Sequence, residues 1–152
     1  MDWKSLFFTA DGRIGRQAFW IGWLTLLGVH MVAGWIPLIG WALGLVALFA
    51  SVCLYTKRLH DMGRSGWWQV LPIVFGPVVV VSAALGVGIS AIIAGATDGR
   101  ADFAALASLG GLFGALALAA VVVIGFTIWV GVSQGQAGEN RYGEPPADLV
   151  AV

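Results

Sequence analysis

The chain is a series of long apolar stretches separated by short polar segments. Four of these stretches contain no Asp, Glu, Lys or Arg, and their lengths are close to the roughly 20 residues that a helix needs to cross a bilayer. They cover residues 17–36, 38–56, 70–96 and 103–132. The pattern predicts an all-α integral membrane four-helix bundle made of two transmembrane hairpins. It divides the chain into a four-span domain over residues 1–132 and a polar cytoplasmic tail over residues 133–152.

Two prolines leave the first residue of the third span open. Pro72 and Pro77 each lack a backbone donor, and each can kink or break a helix. The apolar pattern predicts a start near residue 70, whereas a break at the prolines moves the start close to Pro77.

The basic residues are distributed unevenly among the connections between spans. Seven of the eight Lys and Arg residues precede the first span, lie between the second and third, or follow the fourth. Arg100, between the third and fourth spans, is the exception. Because basic residues concentrate in cytoplasmic loops, this distribution predicts that both termini and the central loop lie in the cytoplasm.

Composition excludes several classes of protein. The chain is 59% hydrophobic and 11% charged, whereas soluble domains average about 25% charged residues, which excludes a water-soluble fold. The formal net charge is zero, so no overall field attracts nucleic acid. The single cysteine, Cys53, is expected to be a small buried hydrophobe. No nucleotide-binding or catalytic fingerprint occurs in a suitable context, so no cofactor and no catalytic residue are predicted.

Small residues recur at four-residue spacing inside the predicted spans. Such pairs let helix backbones approach closely within a membrane, and they predict compact packing of the four helices. The pairs are Gly40 and Gly44, Gly110 and Gly114, Ala18 and Gly22, and Ser90 and Ala94.

The segment before the first span carries two arginines three residues apart. If the helix begins there, Arg13 and Arg16 share a face at the membrane edge, where guanidinium groups can hold lipid phosphates bidentately. The alternative is that both residues only flank the span and set its orientation, as basic residues do at most spans.

The loop between the second and third spans places His60 beside Asp61, after Arg58. An imidazole next to a carboxylate can relay protons, or can supply two ligands of a metal site, which is too few on its own. The alternative is structural. Lys57 and Asp61 have the spacing of a helical ion pair, which favours an extension of the second helix that ends in a turn at Gly63–Gly66.

The tail contains the sequence GENRYG at residues 138–143, whose glycines and Asn140 permit tight turns. We predict that this segment folds back against residues 58–61, with Arg141 paired to Asp61 and Tyr142 at the interface. In the alternative, Asp61 pairs with Lys57 or Arg64 in its own loop, and the tail stays mobile.

Three segments together carry a resemblance to a known family. GRIGRQAFW at residues 12–20, RLHD at 58–61 followed by Gly66 and Trp67, and GENRYG at 138–143 resemble the marker segments of YhaH-like proteins. That resemblance implies a small multi-span protein of the bacterial cytoplasmic (inner) membrane, in a family without an assigned function. By the predicted topology, all three segments lie on the cytoplasmic side. The candidate cytoplasmic-face polar site therefore comprises Arg13, Arg16, Arg58, His60, Asp61, Asn140, Arg141 and Tyr142.

These features favour a non-enzymatic module that interacts with membrane lipids, including anionic headgroups, or with other membrane proteins or copies of itself. The alternative is a small transporter or channel subunit, because prolines within spans and an ionisable residue within a span are features of transport pathways. That residue is His30, which is otherwise expected to bond to a neighbouring helix. The third hypothesis is an enzyme that uses His60 and Asp61 as an acid–base pair.

Overall fold

The computed structural model describes residues 3–36, 39–96 and 101–146. These residues form five α-helices and one 3₁₀ turn, and their only β-type pairing is an isolated bridge between Asn140 and Gly143. The helices are α1 (Trp3–Phe8), α2 (Arg16–Ala33), α3 (Ile39–Asp61), α4 (Val70–Ala96) and α5 (Ala101–Val132), with the 3₁₀ turn at Gly66–Gln69. The predicted all-α class is confirmed.

Within the described ranges, three helical segments are long and apolar enough to cross a membrane. They are Ile39–Asp61, Gly66–Ile93 and Leu109–Val132. Helix α2 is not among them, because its 18 residues begin with Arg16 and Gln17 and include His30. The predicted turns between the hairpin helices fall partly on residues 37–38 and 97–100, outside the described residues, as do residues 147–152 of the tail.

The chain divides into two compact units. The first unit comprises Met1–Gln69 and Ile128–Val152, and the second comprises Val70–Thr127. The start of the tail thus belongs to the same unit as α2 and α3, although it is far from them in sequence.

In the first unit, α2 and α1 pack against α3. Gly22 of α2 permits the approach, since a Cβ there would lie 2.8 Å from Leu54 Cδ1. Phe19 is buried beside the ring of Tyr55, with ring centres 5.2 Å apart. Cys53 is buried as well, which confirms the prediction for the single cysteine.

Helix α1 is joined to α3 by a buried lysine. Lys57 is 2% exposed, and its ammonium group donates to the carbonyl of Ser5. Leu6 of α1 is also buried. The short helix is therefore joined to α3 by the hydrogen bonds that Lys57 donates to Ser5, and it adds the buried side chain of Leu6 to the unit.

The end of α3 confirms the predicted helix extension and glycine turn. The amide of Gly63 donates to the carbonyl of His60 at 2.9 Å, and that of Arg64 donates to Leu59 at 2.8 Å. These two bonds form the Schellman motif, which requires a left-handed residue after the helix. Gly63 supplies it with φ +70°.

In the second unit, the prolines do not delay the start of α4. The helix begins at Val70, directly after the 3₁₀ turn, and continues through Pro77. Pro72 lies in the first helical turn, where backbone donors have no intrahelical partner, so its missing N–H removes no bond.

Only some of the glycines predicted to lie at packing faces are closely packed. Gly22 is one of them, as described above. Within the described part of each unit, a Cβ at Gly44, Gly110 or Gly114 would meet no atom within 4 Å. Gly40 does lie close to its surroundings, against the carbonyl of Ala33 at the end of α2.

Candidate functional site

The polar site is built where the irregular segment 9–15, the end of α3 and residues 133–143 meet in the first unit. Its centre consists of Arg13, Arg58 and Asp61, which we call the charge cluster. The side chains of Arg13 and Asp61 are fully buried, and that of Arg58 is 1% exposed. Each of the three comes from one of the first two marker segments.

Asp61 holds the two arginines together. Arg13 donates from Nε and Nη2 to Oδ1 of Asp61, at 3.1 and 3.0 Å. Arg58, one helical turn before Asp61 on α3, donates from Nη1 to Oδ2. Both carboxylate oxygens therefore accept charge-assisted hydrogen bonds, which are the strong ones in proteins.

The remaining donors of Arg13 bond to the tail. Nη1 donates to the carbonyls of Gly138 at 2.7 Å and Gly143 at 3.2 Å, and Nη2 donates to the carbonyl of Gln136. A guanidinium group has five N–H donors. All five N–H donors of Arg13 thus form hydrogen bonds within the protein, and three of these bonds attach the tail.

Arg58 caps the C-terminal end of α5. Its Nε donates to Val130 O at 3.1 Å, its Nη2 donates to Ser133 O, and its Nη1 also reaches Ile14 O at 3.3 Å. The last carbonyls of a helix lack intrahelical partners and carry partial negative charge. A buried cation at this position therefore satisfies those carbonyls and stabilises the helix dipole.

Two buried cations and one buried anion leave the charge cluster with a net positive charge. Six backbone carbonyls point at the two guanidinium groups and offset that charge. Buried charges without such partners are costly. The arrangement joins the N-terminal segment, α3, α5 and the tail through one set of hydrogen bonds.

A glycine in the tail makes room for the carboxylate. A Cβ at Gly135 would overlap the carboxylate of Asp61, so no larger residue fits there without a shift. The next amide, of Gln136, donates to the backbone carbonyl of Asp61 at 2.8 Å. The tail backbone is therefore in direct contact with the end of α3.

Asn140 forms the turn that the sequence predicts. Its Oδ1 accepts from the amide of Tyr142 at 2.9 Å, and its backbone pairs with Gly143, which has φ +119°. Its Nδ2 donates to His60 O at 3.0 Å and to Gln136 Oε1 at 2.9 Å. One side chain thus shapes the turn and attaches it to α3.

The ring of His60 stacks on the ring of Tyr142. The ring centres are 3.6 Å apart and the planes differ by 5°. Arg141 lies near the same tyrosine, with its guanidinium carbon 4.7 Å from the ring centre. In the described residues, His60 Nδ1 is the buried side-chain polar atom that lacks a hydrogen-bond partner.

The structure brings together most of the residues predicted from sequence. Arg13, Arg58 and Asp61 bond directly, and Asn140, His60 and Tyr142 form the adjoining layer. Arg16 and Arg141 are exposed at the edge. The predicted return of the tail to residues 58–61 is found, with different partners from those expected.

The predicted Arg141–Asp61 pair is wrong. Asp61 is fully buried and bonded to Arg13 and Arg58, whereas Arg141 is exposed and lies by Tyr142. The alternative partners are also engaged elsewhere. Lys57 donates to Ser5, and the guanidinium of Arg64 lies by the rings of Trp68 and Trp129.

The predicted shared face of Arg13 and Arg16 is wrong too. Helix α2 begins at Arg16, so Arg13 precedes it in irregular backbone and extends inward. Arg16 is exposed, and its Nη1 lies 3.5 Å from Val132 O. Arg13 is thus committed to Asp61 and the tail, and does not form a phosphate clamp with Arg16.

His30 also differs from expectation. Its Nδ1 lies 2.9 Å from the carbonyl of Leu26, one turn earlier in its own helix, rather than bonding to a neighbouring helix. It lines a cavity of about 420 Å³ together with Gly34, Gly40 and Trp41.

Sequence reasoning missed the glycines and carbonyls that complete the site. Gly135 touches Asp61, and Gly131 lies against the ring of Trp20. The carbonyls of Gly138, Gly143 and Gln136 are acceptors that any residue type could provide. The spacing of small residues from 131 to 138 was the only signal in the sequence, and it does not identify what each glycine contacts.

Comparison with known proteins places the chain among bacterial proteins without an assigned activity. Residues 7–144 match the family model described as "Protein of unknown function (DUF805)". The chain is 32% identical over 154 residues to "Uncharacterized protein YiiR" of Escherichia coli strain K12, covering 93% of this chain and 88% of that protein. The protein of the same name from Escherichia coli O157:H7 matches with the same values. No solved structure matches. The matched region includes all three segments that build the site, and the chain belongs to the DUF805 family.

Proposed function

We propose that this protein is a multi-span protein of the bacterial cytoplasmic membrane that acts as a non-enzymatic module binding anionic phospholipids at its cytoplasmic face. In this proposal, α2 to α5 form a four-helix bundle with both termini in the cytoplasm. The narrower resemblance to YhaH-like proteins is part of the same proposal, as is association with other membrane proteins or with further copies of the chain.

Exposed apolar side chains support placement in a membrane. Trp35 and Trp41 are 89% and 81% exposed at one end of the α2–α3 hairpin, and the charge cluster lies at the other end. Helix α3 has 23 residues and is therefore about 35 Å long, enough for a hydrocarbon core of about 30 Å. Tryptophans at the ends of spans are typical of membrane interfaces.

The position of the cations supports the orientation. The residues that follow or precede the spans at the charge-cluster end of the first unit include Arg13, Arg16, Arg58, Arg64 and Arg141. Arg100, the single basic residue between the third and fourth spans, lies outside the described residues. The positive-inside rule therefore favours a cytoplasmic location for the charge-cluster end.

One observation carries the binding function: the buried arginines are saturated, while other arginines around them are exposed. Arg13 and Arg58 bond within the protein, whereas Arg16, Arg64 and Arg141 are exposed around the same end of the unit. Basic residues near an anionic membrane surface contribute about 1 kcal/mol each to the interaction. This arrangement suits a surface that recruits anionic lipid.

The test is lipid selectivity of the purified full chain. Reconstituted in nanodiscs with equal amounts of phosphatidylglycerol and phosphatidylcholine, then extracted gently, the protein should retain phosphatidylglycerol in excess. Combined substitution of the exposed arginines, Arg16→Gln, Arg64→Gln and Arg141→Gln, should remove that excess. Arg100→Gln is the matched control and should retain it. Equal retention of both lipids by the unaltered protein would rule out the proposed function.

A second candidate, a transporter or channel subunit, is favoured by the cavity beside His30. An ionisable residue at a cavity within a membrane-spanning hairpin is a feature of transport pathways. Saturable flux of an ion or solute into proteoliposomes, lost on His30→Ala, would support this candidate. Flux that is absent, or insensitive to that substitution, leaves the lipid-binding function as the better account.

A further inference from the structure

Among the arginines in the described part of the chain, Arg64 is exposed and contacts two aromatic rings. Its guanidinium carbon lies 4.9 Å from the ring centre of Trp68 and 5.0 Å from that of Trp129. The two indole rings are 6.3 Å apart and inclined by 50°. The three side chains come from the turn after α3, the 3₁₀ turn and the end of α5, all within the first unit.

The backbone around Arg64 is firmly placed. Its amide completes the Schellman motif by donating to Leu59 O at 2.8 Å. The 3₁₀ turn that carries Trp68 is attached to α3 by the bond from Gln69 Nε2 to Thr56 Oγ1, at 2.7 Å. On the other side, Ser133 donates its amide and hydroxyl to Trp129 O, at 3.1 and 2.6 Å. We call the two rings of Trp68 and Trp129 the aromatic clamp. The segments that carry these rings and Arg64 are thus each held by hydrogen bonds of their own.

The donors of this guanidinium group contrast with those of Arg13. Across residues 3–36, 39–96 and 101–146, the side chain of Arg64 contacts the two rings but makes no hydrogen bond or ion pair. Cation–π contact engages the charge of a guanidinium group, while its N–H donors remain able to bond in the plane. Arg64 therefore offers a cation whose planar donors suit the oxygens of a phosphate group.

Its location matches that of a phospholipid headgroup. Trp67, beside the clamp, is 80% exposed, and exposed tryptophans at the ends of spans lie at headgroup depth. The apolar helix α4 begins one residue after the 3₁₀ turn ends. A lipid whose acyl chains lie against an apolar helix surface would place its phosphate near this level.

We propose that Arg64, packed against both Trp68 and Trp129, binds the phosphate group of an anionic phospholipid in the cytoplasmic leaflet. This inference rests on the proposed function and names the residue at its centre. Holding the side chain in place before binding reduces the conformational entropy that a flexible arginine would lose. Arg141 contacts one ring, that of Tyr142, and Arg16 is within 3.5 Å of a carbonyl, so neither has a comparable clamp.

The experiment measures binding of single lipids by native mass spectrometry. The full chain, in a neutral detergent, is titrated with short-chain phosphatidylglycerol, and the apparent Kd of the first bound lipid is compared among variants. Arg64→Gln should weaken this binding by about tenfold, the expected loss for one charged hydrogen-bonding group. Arg64→Lys should recover only part of it, because an ammonium group does not bond bidentately.

Variants of the clamp distinguish positioning from charge alone. Trp129→Leu leaves the guanidinium group present but removes one ring, and it should weaken binding several-fold by freeing the side chain. Trp68→Leu is expected to act in the same direction and is the second variant if Trp129→Leu lowers folding. Arg100→Gln is the matched control: Arg100 lies between the third and fourth predicted spans, away from the proposed lipid-binding arginines, so its loss should change the Kd by less than about twofold.

The outcomes separate this inference from the proposed function. If the unaltered chain shows no preference for phosphatidylglycerol over phosphatidylcholine, the proposed function fails. If the preference persists in Arg64→Gln and is lost in Arg16→Gln or Arg141→Gln, the proposed function stands and the assignment to Arg64 is wrong. If inorganic phosphate displaces the lipid at equal concentration, the site takes free phosphate and the lipid assignment is overturned.

Discussion

The two units of this chain differ in the side chains that make up the interior of each. The first unit buries two arginines, a lysine and an aspartate at one end, each with specific hydrogen-bond partners. The described part of the second unit consists of two long apolar helical segments, and one cavity in it is lined by Leu71, Pro72, Phe75, Val122 and Phe126.

This difference has a physical consequence in a bilayer. Lipid tails are as apolar as leucine, so apolar side chains provide little preference for helix contact over lipid contact. A buried hydrogen-bonded charge has no such substitute, because the loss of its partner leaves it unsatisfied in the protein interior. We therefore expect single substitutions to have their largest effects at the charge cluster and their smallest effects in the second unit.

The largest expected effect is that of Asp61→Asn. It leaves two buried guanidinium groups without their anion and should destabilise the protein by about 3–5 kcal/mol. The buried thiol of Cys53, the single cysteine, provides the measurement. Its rate of labelling by a thiol reagent in detergent should rise strongly when the first unit opens.

Two comparisons check this result. Asp11→Asn removes an exposed carboxylate from the same N-terminal segment and should change stability by no more than about 0.5 kcal/mol. In the presence of Arg13→Gln, the cost of Asp61→Asn should fall, because one of the two cations is then absent. Equal labelling rates for Asp61→Asn and Asp11→Asn would contradict the role assigned to the charge cluster.

The next effect concerns the contact between the tail and α3. Gly135→Ala places a Cβ onto the carboxylate of Asp61 and should destabilise the first unit by about 1–3 kcal/mol, the range for overpacking. Gly138→Ala is a matched control three residues away, since a Cβ there meets nothing within 4 Å in the described structure. Limited proteolysis of the tail should be faster in Gly135→Ala only, and similar rates in both variants would show that the tail does not dock this way.

A smaller effect is expected between α2 and α3. Gly22→Ala brings a Cβ to 2.8 Å from the flexible end of Leu54, whereas Gly28→Ala meets no described atom within 4 Å. Alanine in a helix interior is favoured over glycine by roughly 0.5–1 kcal/mol. Gly28→Ala should therefore raise the melting temperature in detergent, and Gly22→Ala should not. A rise of the same size in both would mean that α2 and α3 do not meet at Gly22.

The smallest expected effect lies in the second unit. Gly114→Ala adds a methyl group where its unit offers open space, and it should not lower the melting temperature. Gly114 belongs to a small-residue pair that the sequence marks as a packing face. A drop of several degrees would show that a helix does pack on that face in the membrane, which would reduce the contrast between the two units.

Much of the architecture was predictable from the sequence. Uncharged stretches of the right length identified the four long helices, α2 to α5, but not the short helix α1, because every backbone polar group in a bilayer must be satisfied within the helix. Gly63 identified the end of α3, since a left-handed residue is needed there and glycine adopts it without strain. The three polar segments were also recognisable as parts of one site.

Which residues would bond within that site depended on the tertiary structure. Arg13 and Arg141 were both plausible partners of Asp61, because ion pairing requires only opposite charges within reach. The irregular segment before α2 directs Arg13 inward, and the turn at Asn140 leaves Arg141 outside. Arg64 contacts two tryptophans that are 4 and 65 positions away, a pairing without a local pattern.

The sequence by itself determined the four long helices, the apolar surface and the set of polar segments, because these follow from local composition and from the demands of the bilayer. Only the tertiary structure decided the partners of each arginine. Most acceptors of Arg13 and Arg58 are backbone carbonyls, which every residue type carries. Their selection depends on where the chain folds back, and that is a property of the whole first unit rather than of any one segment.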